Sequence, residues 1–127
     1  MINGIRLGDV MIDSADSERL CSFYESLLGW RRAVLFGLPS LISENDTVFM
    51  FMEESDYVPP VWPEEDGLQQ KQIHFDFQVP NVPDAVAYCE SLGAKKSPVQ
   101  FCEADRECVM FDPAGHPFCL CASSNIG

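Results

Sequence analysis

Asp16-Ser-Glu-Arg-Leu20-Cys-Ser-Phe23-Tyr24-Glu-Ser-Leu27-Leu28-Gly29-Trp30 decides the fold of this chain. Leu20, Phe23, Tyr24, Leu27 and Leu28 recur at the spacing of one helical face. Asp16 is suited to the N-cap, Glu18 to the positive end of the helix, and Gly29 to a left-handed C-cap. The pattern predicts a helix from about Ser17 to Leu28. A short strand over Arg6 to Asp13 precedes it. Apolar runs at Trp30–Phe36, Ser40–Ser43 and Thr47–Met52 follow, separated by Gly37-Leu-Pro39 and Glu44-Asn-Asp46, which are turn chemistry.

The same order then recurs. A strand over Gln72–Val79 leads to a helix opened by Asn81, with Pro83 in its first turn and Gly93 at its end. Strands are expected at Ala94–Phe101, Glu107–Phe111 and Pro117–Cys121. Glu25-Ser-Leu-Leu-Gly29-Trp-Arg-Arg32 also resembles Glu90-Ser-Leu-Gly93-Ala-Lys-Lys96, so a duplicated module is the economical explanation. The expected fold is α+β, with two tandem β-α-β-β-β modules forming a cupped mixed sheet and the helices outside it. Module one spans about 5–54, a crossover about 55–70 and module two about 71–122, in one domain over 1–127. Tyr57 and Trp62, set among the crossover prolines, either cover a pocket mouth or pin an extended, polyproline-like segment to the sheet. Pinning is the simpler role.

Composition narrows the partners. With 127 residues and 46% hydrophobic content, the chain supports one core rather than two independent ones. Twenty acidic against eight basic residues give a net charge of −12, which repels nucleic acid and anionic membrane. No basic segment with an apolar run opens the chain, and no run reaches membrane-span length, so a cytoplasmic protein is expected. Its six cysteines then read as reduced thiols, and without a Cys-x-x-Cys pair a structural zinc site is not expected.

The helix-one stretch, together with Asp112-Pro-Ala-Gly115-His116-Pro117-Phe118, resembles the vicinal oxygen chelate superfamily, which includes glyoxalase I, extradiol dioxygenases and bleomycin-resistance proteins. Tyr57-Val-Pro-Pro-Val-Trp62-Pro, Gln69-Gln70 and Ile73-His74-Phe75-Asp76 are similar to a glyoxalase-like subgroup. Asp112-Pro113-Ala114-Gly115 is itself a turn and needs no catalytic role.

In metal-dependent members of that superfamily one residue on each of the first, fourth, fifth and eighth strands holds a divalent ion. The resemblance carries this set to Asp9, Met52, His74 and Cys119, with Met50 and Glu53 as neighbours in the fourth strand. A thioether at Met52 suits no hard ion, and Cys119 replaces a carboxylate. Asp9, His74 and Cys119 remain as a possible zinc, nickel, manganese or iron set with an open position. The simpler readings are a hydrogen-bonded imidazole for His74, a wall filler for Met52, a small hydrophobe for Cys119 and a turn-capping His116.

Two functions follow from the resemblance. The first is a small-molecule-binding domain with no assigned reaction, its pocket lined by Asp9, Met50, Met52, Trp62, His74, Phe118 and Cys119, with Phe75 or Phe77 alongside. The second is a metal-dependent lyase, isomerase or dioxygenase acting on adjacent oxygens. A redox-responsive domain using Cys119 and Cys121 is a third, more remote reading. The resemblance further implies a homodimer.

Overall fold

A computed structural model describes residues 1–123. The chain divides into two compact units, Met1–Tyr57 and the part from Val58 onward, each a β-α-β-β-β module with a four-stranded mixed sheet.

In the first unit β1 (Asp9–Ser14) leads into α1 (Ser17–Leu28), then β2 (Arg31–Leu35), β3 (Leu38–Ile42) and β4 (Val48–Glu53), with strand order β1-β4-β3-β2. Asp16 caps α1 by accepting from the Arg19 N–H at 3.1 Å, and Gly29, at φ 68°, closes it with an N–H to the Glu25 carbonyl. The Glu53 carboxylate accepts from Ser17 N–H at 3.3 Å, satisfying a second free donor of the first turn. Leu20, Cys21, Phe23 and Tyr24 are buried, and Tyr24 stacks on Phe51 with ring centroids 6.1 Å apart. Arg32 of β2 reaches back to Glu18 and Glu25 of the helix.

The turn between β2 and β3 lies earlier than the sequence suggests. Phe36 (φ 52°) and Gly37 (φ 76°) form a two-residue hairpin, so Leu38 and Pro39 belong to β3. Two consecutive positive φ angles match the twist of the flanking strands. Pro39 is tolerated because the ladder with β4 covers only Ser40–Ile42, leaving no bond on that side for its missing N–H.

In the second unit β5 (Phe75–Val79), α2 (Val82–Ser91), β6 (Lys95–Lys96), β7 (Glu107–Phe111) and β8 (Pro117–Ala122) repeat the arrangement, in strand order β5-β8-β7-β6. Asn81 caps α2 by accepting from Asp84 N–H at 2.9 Å. The expected strand over Ala94–Phe101 shrinks to two residues, because Pro98 has no donor and a side chain takes over the pairing. The Gln100 amide donates to the Val109 carbonyl at 2.9 Å and accepts from Val109 N–H at 2.8 Å.

The crossover is not one extended polyproline-like stretch. Val61 bridges Gln70 in parallel, its N–H donating to the Gln69 carbonyl at 2.7 Å, with a turn from Glu65 to Leu68 between them. No helix among the described residues is long and apolar enough to cross a membrane.

Candidate functional site

The register of the second sheet sorts its side chains onto two faces. Phe75 pairs with Phe118, and Phe77 with Leu120, so these four share one face. Cys108, in register with Leu120, lies on that face as well and interacts electrostatically with Cys89 of α2, which identifies it as the helix side. Asp76 pairs with Cys119 and Gln78 with Cys121 on the opposite face. His74, two residues before Asp76, belongs with them.

On that opposite face His74, Asp76 and Cys119 place one ligand atom each within 4.8 Å of one another, a set able to hold a metal ion. His74 Nε2 lies 3.3 Å from Asp76 Oδ1, with the side chains 31% and 61% exposed, whereas Cys119 is only 4% exposed. The Trp62 ring packs 5.3 Å from the His74 ring and 5.6 Å from Phe101, and Lys71 Nζ sits 4.0 Å from the Trp62 centroid. Trp62 therefore both pins the crossover and covers the imidazole. Lys71 is steered by Glu64, whose carboxylate accepts from its ammonium at 2.8 Å and is thereby held below the ordinary carboxyl range.

The thiol of Cys119 is not an activated nucleophile. Burial pushes it up to about 12, reinforced by the negative charges of Asp76 and Glu107 and by a hydrogen bond to Asp76. Its nearest acidic partner stabilises the thiol, not the thiolate. Burial likewise raises Cys21 and Cys89 to about 11. All six cysteines are free, and Cys102 is the exposed one. Native protein at pH 8 is therefore expected to lose one thiol rapidly to Ellman's reagent, and all six only after denaturation. Rapid loss of three or more from the native fold, beyond what exposed Cys102 and half-buried Cys121 supply, would contradict the burial of the other four. Because an unfolded thiol ionises near 9.0 and these three do so only at 11–12, the unfolded chain holds fewer protons between those values. Stability is then expected to fall as pH rises above about 9 and to be untouched by these groups below it.

Other expected site residues fall as the register dictates. Phe118 is fully buried on the helix side, its ring 5.9 Å from Phe77, and so does not share a face with Cys119. In the first sheet Asp9 pairs with Val48, Met11 with Met50 and Asp13 with Met52. Asp9 and Met52 share a face but stand four positions apart, about 13 Å along the strands. Cys119 lies two residues beyond the partner position of His74. The same offset from Asp9 falls on Met50, which is 7% exposed. Glu53 points to the helix side, where it serves α1.

A hard-ion set drawn from Asp9, Met52, His74 and Cys119 does not fit these residues, since two of its four donors are soft sulfur atoms where such an ion needs oxygen. Asp76 is the residue that sequence reasoning missed. Its signal was present: two residues from His74 on a strand, it must share that residue's face.

A glyoxalase-like domain family profile matches residues 9–121. No curated protein matches the chain in sequence. Among solved structures the fold is similar to a glyoxalase/bleomycin resistance protein/dioxygenase family enzyme from Burkholderia phytofirmans (TM-score 0.68, 14% identity, covering 93% of this chain and 98% of that one). It is also similar to TnmS3, an antibiotic binding protein from Streptomyces (0.61, 14%, 96% and 98%). A mutant of the fosfomycin resistance protein FosX from Listeria monocytogenes, complexed with Mn(II) and dihydroxypropylphosphonic acid, is a third (0.66, 15%, 95% and 90%). The chain belongs to the glyoxalase-like domain family.

Proposed function

We propose that this domain binds a small organic molecule on the sheet face that carries His74, without depending on a hard divalent ion. The observation that carries this is the packing of Trp62 on His74 beside exposed Phe101 and Asp76. It sets aromatic surface next to groups that donate and accept hydrogen bonds, the usual composition of a small-molecule site. The antibiotic-binding relative belongs to the same fold, which is compatible with such a role.

Native mass spectrometry of untagged protein purified without added metal should find a retained organic adduct or an empty chain. Fosfomycin and bleomycin then serve as probes in a fluorescence titration. Binding should change the emission of Trp62 in a Trp30→Phe variant and leave Trp62→Phe unresponsive. An empty chain that responds to neither probe would count against the reading. A response carried only by Trp30 would move the site to the first unit. The same mass spectrum reports the homodimer, which we propose by analogy of paired modules.

The second reading, a metal-dependent lyase, isomerase or dioxygenase, is favoured by one observation, the convergence of His74, Asp76 and Cys119.

A further inference from the structure

We propose that a groove on the helix side of the second module binds a small amphiphilic monocarboxylate, its apolar body held between α2 and β7 and its carboxylate at Lys96. The groove lies on the sheet face opposite His74, so the proposal stands whether or not a ligand binds there.

The groove follows from the way β6 ends. That strand comprises only Lys95 and Lys96. Pro98 then offers the ladder no N–H, and the Gln100 side chain serves Val109 instead of a strand backbone. The loop over 97–106 therefore leaves the edge of β7, and a groove of about 200 Å³ opens between loop, helix and strand. Pro83 and Val86 of α2, Ala104 of the loop and Cys108 of β7 supply its apolar lining. An apolar cavity of about 150 Å³ is large enough to take up benzene. This groove accordingly accommodates a body of that size, with a polar group directed to its mouth.

The polar groups around the groove select the head group. The Gln100 amide is fully engaged, donating to the Ser97 and Val109 carbonyls and accepting from Val109 N–H. Glu107 pairs with Cys121 and so belongs to the far face of the sheet. Lys96 pairs with Met110, which shares the helix side with Cys108. Burial raises the Cys108 thiol, and of the charges that bear on it Lys96, which lowers it, ranks ahead of Glu90 and Glu107. Lys96 forms no ion pair among the described residues. One cation beside an apolar lining complements an anion with an apolar body. The net charge of −12 repels polyanions, which restricts the ligand to a single negative charge.

The test uses the full chain, isotope-labelled for amide NMR and titrated at low salt with benzoate and with uncharged benzamide. Benzoate should shift the amides of Val86, Cys102 and Ala104, with a Kd of about a millimolar or tighter. Benzamide should bind about threefold or more weakly, and Lys96→Met should weaken benzoate by a similar factor. Lys95→Met, on the other face by register, should leave benzoate binding unchanged. Val86→Phe fills the groove and should abolish binding.

Circular dichroism checks that each variant is folded. Ala104→Phe, at an exposed loop position, fills the groove from outside and keeps the test decisive if Val86→Phe unfolds. Absence of amide shifts in folded wild type at millimolar benzoate would overturn the proposal, as would full binding by a folded groove-filling variant. Equal losses in Lys95→Met and Lys96→Met would also overturn it, because the carboxylate would then be answering to the surface charge and not to the groove. Shifts centred on His74 and Asp76 would place benzoate on the opposite face and equally refute it.

Discussion

Phe118→Ala is expected to destabilise the protein by about 3–5 kcal/mol, a large share of the roughly 5–15 kcal/mol that holds a typical domain together. The ring is fully buried on β8, an inner strand of its sheet, between Phe75 on one side and Met110 on the other. Truncation removes aromatic burial and leaves a cavity that neighbouring strands, fixed by their ladders, cannot close. At about 4 °C for each kcal/mol in a chain of this size, the melting temperature should fall by roughly 12–20 °C. Phe118→Leu, which keeps most of the volume, should cost about 1–2 kcal/mol. Urea denaturation measures both. A loss below about 1 kcal/mol for Phe118→Ala would show that the ring has solvent or empty space around it, as a pocket wall does, and would return it to the ligand site that the sequence suggested.

That reassignment shows which parts of the molecule were legible in the sequence. The helix over Ser17–Leu28, its caps at Asp16 and Gly29, the Asn81 cap and the duplicated order of elements are local or periodic features, and each was read correctly. The errors came where side chains decide between alternatives that propensity leaves open. Pro39 reads as a turn residue, yet Phe36 and Gly37 supply the hairpin. Ala94–Phe101 reads as a strand, yet Gln100 takes over the ladder after Lys96, a tertiary substitution that no window of sequence announces. Phe118 and Cys119 are adjacent, and the register alone decides which of them faces the helix. Asp76 was readable from its spacing to His74, but its meeting with Cys119 depends on a β5–β8 pairing between residues far apart in the chain. The ligand itself was not legible, because recognition is set by a few side chains in three dimensions and one fold hosts many of them.

The second large effect is expected at Asp112, where the chemistry of a turn can be mistaken for that of a catalytic site. Asp112 is 4% exposed, and its Oδ1 accepts from Ala114 N–H at 2.9 Å and His116 N–H at 3.0 Å. Its backbone is engaged as well, the N–H donating to the His116 carbonyl and the carbonyl accepting from Gly115 N–H. Gly115 adopts φ 87°, and a Cβ there would meet the Pro59 side chain at 3.0 Å, so the loop cannot readily shift to restore lost bonds. Asp112→Ala leaves two N–H groups without this acceptor and should cost about 2–4 kcal/mol. Asp112→Asn keeps an acceptor oxygen in place and loses only the charge-assisted part of each bond, so its cost should be about 1 kcal/mol. Chemical denaturation of the two variants, with an unchanged denaturant slope as evidence that the folded states match, separates structure from catalysis. An architectural aspartate gives a graded stability loss with Asn intermediate. If instead both variants are as stable as wild type, Asp112 holds no turn together, and its place beside β8 would have to be explained by the ligand.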